Sequence, residues 1–290
     1  MNELQEKKKR RMHFLNLKDL IKKNREVLLS VDDWIDHEAY YNSLDKYGLV
    51  SFQNTIVNDE MDNKLTILDV LCFIQQFIYN STSRCQYVEM GVGLMRTFYC
   101  MMEIMKNADL YALDRNKMNP RIKEKLELTE GSHRKNIYIN ENSNKVLYYE
   151  GNIYNNVHIK EFFSNIPKIN ILFSDVHLRG YDAFVEYKNY ILSKLDERFI
   201  LVYNTKKRVM KKECILIGAH LKNVRFNNSH IELAEMDIND SLGSLGSKIS
   251  ICIISSINLE TLLRMIGRRG NISYNRVILK KNVEPGTVVL

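Results

Sequence analysis

The stretch that decides the fold is YVEMGVGLM, Tyr87–Met95. "CQYVEM", ending just before the first glycine, is a short apolar run of strand type, and "GLMRTFYCMMEIMKN", which begins at Gly93, has helical spacing. Gly91 and Gly93 therefore stand at a strand-to-helix turn, where glycine permits a tight bend and close approach of the backbone to a ligand. Such turns usually receive an anion at the helix N-terminus. Here a carboxylate, Glu89, stands two positions before the first glycine. Arg96 occupies the place of the third glycine that a dinucleotide-binding turn requires, so that fingerprint fails. A carboxylate in this place repels a diphosphate and suits a cationic ligand, such as one carrying an ammonium and a sulfonium.

Outward from this turn, "ADLYALD", "KVLYYEG", "INILFSD" and "RFILVYN" read as further strands. The amphipathic runs "NPRIKEKLEL", "VHIKEFFSNI" and "YDAFVEYKNYILSKL" read as the helices between them, the first with Asn119 as N-cap and Pro120 in its first turn. This alternation predicts an α/β fold, a mostly parallel doubly wound sheet with helices on both faces. Right-handed crossovers then place the C-terminal ends of the strands on one rim. Further on, "CILIGAHL", "HIELAEMDI", "KISICIISS" and "NRVILKK" read as strands around one helix, "LETLLRMIGRR". They predict an antiparallel C-terminal edge. Residues 1–80 read as an N-terminal helical extension or cap, with Leu17, Leu20 and Ile21 and then Leu65, Leu68, Leu71 and Cys72 at helical spacing. The expected organisation is that extension followed by a Rossmann-like domain over 81–290.

The turn resembles the first motif of class I S-adenosylmethionine-dependent methyltransferases, in which an acid precedes a GxG turn. The resemblance continues in order along residues 84–205. Asp114 closes the second strand, 25 positions after Glu89; a carboxylate there can accept hydrogen bonds from ribose hydroxyls. Gly151 and Asn152 in "YEGN" stand where the family has a Gly-Asp step near the adenine amine. Asn152 replaces the acid and keeps a carbonyl acceptor. Asp175 in "FSDVH" closes the fourth strand, as the family's fourth motif does. The resemblance implies S-adenosyl-L-methionine as cofactor, held by Glu89, Gly91, Gly93, Asp114, Gly151, Asn152 and Asp175.

"SDVHLRGYDAFVEYK" also resembles a subgroup of small-molecule O-methyltransferases with Asp, then His, after this strand. His177 is a candidate general base, with Asp175 orienting it or holding the methionine ammonium; a loop histidine without chemistry is the alternative. Metal-dependent members of that subgroup follow the fifth strand with an Asp-Asn pair. Here Tyr203 precedes Asn204, so no metal is expected. Methyl transfer to a small polar acceptor, through oxygen or nitrogen, is the leading expectation.

Charge and cysteine usage bound the rest. The net charge is +7 over 290 residues, and Lys7–Arg11, Lys206–Arg208 and "RMIGRRGNISYNR" are basic runs. They leave RNA open as an acceptor, or solvated surface as the plain alternative. Asn152 leaves a non-catalytic binding subunit open as well. The five cysteines show neither CxxC nor zinc-ligand spacing, which points to reduced thiols in the cytoplasm. No segment has the apolar length of a membrane span or a signal peptide. The N-terminal helices are expected to cover the site or form a homodimer interface.

Overall fold

The computed structural model describes residues 17–32, 65–78, 84–93, 95–176, 182–205, 208–224, 231–239, 248–270 and 274–277. The strands are β1 (Gln86–Met90), β2 (Asp109–Asp114), β3 (Glu127–Gly131), β4 (Lys135–Ile139), β5 (Lys145–Glu150), β6 (Ile169–Ser174), β7 (Leu195–Asn204), β8 (Glu232–Asn239), β9 (Lys248–Ser255) and β10 (Tyr274–Val277). They form one sheet in the order β10-β8-β9-β7-β6-β1-β2-β5-β4-β3. The central run from β7 to β5 is parallel throughout. The C-terminal strands β8, β9 and β10 join antiparallel, as expected.

The helices are α1 (Leu17–Asp32), α2 (Ile67–Ile78), α3 (Arg96–Ile104), α4 (Pro120–Lys123), α5 (Asn156–Ser164), α6 (Asp182–Glu186), α7 (Arg208–Val224) and α8 (Glu260–Gly270). After α6 the chain continues as a π-helical turn, Tyr187–Ile191, and a 3-10 turn, Leu192–Lys194. Successive strand residues face opposite sides of the sheet, and the core divides accordingly. Tyr87, Leu110, Ala112, Phe173 and Val202 pack in one cluster with residues of α1, α2, α3 and α8. Val88, Met90, Leu172 and Leu201 pack in a second with residues of α5, the π-helical turn and α7. Burying one such large apolar side chain stabilises the fold by about 1.5–3 kcal/mol.

Polar contacts fix where the helices point. Thr66 and Asp69 form a reciprocal cap at the start of α2. The Thr66 N–H donates to Asp69 Oδ2 at 2.9 Å and the Asp69 N–H to Thr66 Oγ1 at 3.5 Å. Asn24 and Arg25 of α1 donate to the same buried carboxylate at 2.9 and 3.0 Å, which ties α1 to α2. The Asn144 amide, in the β4–β5 turn, donates to the Met102 and Met105 carbonyls at 2.9 Å each. This anchors the C-terminal end of α3 on the far rim and leaves its N-terminal end at the glycine turn.

Two expectations are corrected. "CILIGAHL" is not a strand but part of α7. Cys214, Ile217 and Leu221 are buried at helical spacing on one side of the sheet, and a short apolar run does not distinguish the two periods. The helix expected over "NPRIKEKLEL" stops at Lys123, and Glu127–Gly131 forms the edge strand β3, antiparallel to β4. β4 in turn pairs antiparallel with β5, so the sheet has an antiparallel margin on both sides. β3 is exposed along its whole length, Leu128 included, so no buried face marks it in the sequence.

Candidate functional site

Backbone hydrogen bonds bring four strand ends together. The Gly91 N–H donates to the Leu113 carbonyl at 2.8 Å and the Asp175 N–H to the Met90 carbonyl at 2.9 Å. The Gly151 N–H donates to the Asp114 carbonyl at 2.7 Å. Gly91, Asp114, Gly151 and Asp175 thus share the rim that the alternation predicts. Gly91 has φ +82°, and a Cβ there would lie 2.8 Å from Val176 Cγ1 and 3.1 Å from the Asp175 carbonyl oxygen. Only glycine lets the β1 turn and the loop after β6 lie this close. Gly93 has φ +50°, yet among the described residues nothing lies within 4 Å of where its Cβ would be. The first glycine is required by the fold's own packing. The second is crowded by none of the described residues. Met95 follows with φ 66° and caps α3 without a side-chain hydrogen bond. Arg96 opens the helix with its side chain buried.

Glu89 lies on the face of β1 that packs under α2 and α3, and it is 1% exposed. Tyr87, two residues earlier on the same face, donates its hydroxyl to Glu89 Oε2 at 2.5 Å. Burial pushes the Glu89 carboxyl well above the usual carboxylate range. The Tyr87 hydrogen bond pulls it down, and the Asp175 and Asp114 charges push it up. Asp114 is also buried, but its setting differs. Oδ2 accepts the Gly93 N–H and Oδ1 the Asn116 N–H, both at 2.8 Å. Burial raises its pKa, opposed by the backbone N–H groups of Asn116, Gly93, Arg115 and Val92. A carboxylate has about four acceptor sites, and the close Gly93 and Asn116 contacts take one on each oxygen.

Asp175 is held from the next strand, where Asn204 donates its side-chain amide to Asp175 Oδ1 at 2.6 Å. Asn152 is exposed. Its Oδ1 accepts the Tyr154 N–H at 2.9 Å in an Asx turn, and its own N–H donates to His158 Nδ1 at 3.0 Å. Its carbonyl thus shapes the loop before α5 and retains one lone pair. His177 lies outside the described residues, as do Lys206 and Lys207. Tyr87 and Asn204 escaped the sequence reading as site residues. Strand alternation could have placed Tyr87 beside Glu89, whereas the contact from Asn204 to Asp175 joins two strands and has no local signal.

No family model and no curated protein matches the chain. The fold is α/β, a mostly parallel sheet with antiparallel margins and helices on both faces. Solved structures with a similar course include precorrin-8w decarboxylase from Methanobacterium thermoautotrophicum, 15% identical, covering 64% of this chain and 89% of that one, with a TM-score of 0.40. The plantazolicin methyltransferase BpumL in complex with SAH is 10% identical, with coverage of 82% and 98% and a TM-score of 0.41. An O-methyltransferase from Thermotoga maritima is 11% identical, with coverage of 72% of each chain and a TM-score of 0.40. At these identities and scores the likeness carries nothing about substrate or activity.

Proposed function

We propose that the protein is an S-adenosylmethionine-dependent methyltransferase acting on the oxygen or nitrogen of a small polar acceptor. The observation that carries this reading is the buried Glu89 carboxyl behind the Gly91–Gly93 turn, with Asp114 and Asp175 beside it. Three acids around one nucleotide-type turn disfavour a diphosphate and favour a nucleoside with a cationic tail. The residues present fit that group. Asp114 has acceptor capacity for the ribose diol, and Gly151 and Asn152 stand on the adenine side. Glu89 and Asp175 are assigned to the ammonium and sulfonium end, and among the described residues nothing crowds Gly93.

The bound cofactor supplies a methyl group already activated as a sulfonium. The chain must then hold an acceptor in line with that methyl and, for a hydroxyl, take its proton. Asp175, pinned by Asn204, is the described residue placed for positioning at the acceptor side. His177 is the proposed base. An amine acceptor that arrives neutral needs no base at all.

Mass spectrometry of small molecules released from freshly purified, heat-denatured protein tests the reading, together with calorimetric titration of S-adenosylhomocysteine into the full chain. A saturable one-site isotherm is the expected result. A folded protein that binds neither S-adenosylhomocysteine nor S-adenosylmethionine at millimolar concentration overturns the reading. Turnover that survives His177→Ala would remove the base assignment and leave the rest standing.

A further inference from the structure

The Tyr87 hydroxyl and the Glu89 carboxyl form a closed pair in the interior. Both side chains are buried, on one face of β1, at a separation of 2.5 Å. The ring of Phe98, on α3, lies 6.1 Å from that of Tyr87, and residues of α2 complete the apolar cover. Apolar walls deprive the pair of water, so the state of Glu89 depends on the few polar groups that face it. From β1 that group is Tyr87; from the end of β2 it is Asp114; from the loop after β6 it is Asp175. From α2, Cys72, buried in the same cluster, also acts on Tyr87. The groups acting on Glu89 from neighbouring strand ends are both acids, so ionising it adds a third negative charge to one small volume.

We propose that Tyr87 is a positioning residue of this site, whose hydrogen bond orients Glu89 and makes capture of a cationic ligand coincide with loss of the Glu89 proton. This deepens the reading above and rests on it. The geometry supports the coupling in two ways. A phenol that donates to a carboxylate favours its charged form, so Tyr87 keeps Glu89 close to ionisation despite its burial. A cation arriving over the Gly91–Gly93 turn adds the attraction that the neighbouring acids withhold. The proton then leaves to solvent, and the ionised carboxylate is already oriented by the phenol. The raised affinity of Glu89 for its proton agrees with this order of events.

The sign of the pH dependence follows from linkage. Below the pKa of Glu89 in the free protein, binding must expel a proton, so affinity for the cation climbs with pH until that pKa is passed. Removing the Tyr87 hydroxyl withdraws support from the charged form and moves the midpoint of that climb to higher pH. A role in packing alone would lower affinity by the same factor at every pH.

The test is calorimetric titration of S-adenosylmethionine into the full-length protein across pH 5.5–8.5, in buffer pairs of different ionisation enthalpy. Wild-type protein is expected to release up to about one proton per ligand bound in the lower part of the range. Tyr87→Phe is expected to bind about 3- to 10-fold more weakly below the midpoint of the wild-type climb and to approach wild type above its own midpoint. Glu89→Gln is expected to release no proton while binding weakly throughout. Proton release that persists in Glu89→Gln would assign it to Asp114 or Asp175 and overturn the proposal. So would a Tyr87→Phe curve parallel to wild type. Absence of binding by folded wild-type protein is a different result, because it removes the cofactor reading itself.

Discussion

Glu89 and Asp114 are acids at neighbouring strand ends on one rim, and their surroundings are opposite. Asp114 is solvated by the chain, with backbone N–H groups of Gly93 and Asn116 on its two oxygens. Among the described residues Glu89 is hydrogen-bonded by one phenol in an apolar niche, and the charges of two other acids act on it. The first arrangement stabilises the turn whether or not a ligand is present, since charge-assisted hydrogen bonds hold Gly93 in place. The second disfavours the charged form of Glu89 in the free protein, and in the proposed reading a cation offsets this. Two carboxylates that look equivalent in the sequence thus differ in setting: one builds the turn, and the proposed reading assigns the other to the charge of the ligand.

The contrast can be broken by variants. The largest effect is expected at the turn both acids share. Gly91→Ala drives a methyl group against Val176 and the Asp175 backbone at positive φ, and should lower the unfolding free energy by about 2–5 kcal/mol in denaturant titration. Asp114→Ala comes next. Loss of its hydrogen bonds to backbone N–H groups should cost about 1.5–3 kcal/mol of stability and also weaken cofactor binding. Glu89→Gln should separate the two properties, with affinity for S-adenosylmethionine falling by about 1–3 kcal/mol and no comparable loss of stability. If Glu89→Gln unfolds as readily as Asp114→Ala, the division of roles is wrong.

The smallest effect is the pH slope of stability in the ligand-free protein. The folded-state pKa of Glu89 lies above its unfolded value of about 4.3. The folded protein therefore binds more protons between those two pKa values. Glu89 adds stability at acidic pH that is lost as pH rises through its folded pKa. Asp114 is raised as well and contributes in the same direction. Thermal melts of wild type and Glu89→Gln from pH 5 to pH 8 should converge toward acidic pH and separate toward alkaline pH, with the variant relatively more stable there. Parallel profiles would mean that Glu89 is no more burdened than an ordinary surface acid.

Much of this rim was legible because its signals are local. The glycines, the acid before them and the acid or Gly-Asn pair closing each later strand stand in short runs whose hydrophobic period is clear. The misreadings came where local and tertiary preferences disagree. "EKLEL" has the composition of an exposed helix, and the pairing of Glu127–Gly131 with β4 overrides it. The turn "GSHRK" and the apolar run Ile137–Ile139 were the available hints of that hairpin. In α7 the apolar run of Cys214–Ile217 hides a face whose helical period shows only when Leu221 is included. The support of Asp175 by Asn204 was not legible at all, because their partnership exists only once β6 and β7 lie side by side.

The central claim is that this rim is built for a nucleoside with a cationic tail. Titration of S-adenosylmethionine into the full-length wild-type protein and into Glu89→Gln, at neutral pH and in one buffer, tests it most directly. The account predicts a saturable single site in wild type and affinity about tenfold or more weaker in the variant, with both proteins equally folded by circular dichroism. Equal affinity in the two proteins, or no binding by folded wild type at millimolar ligand, would contradict it.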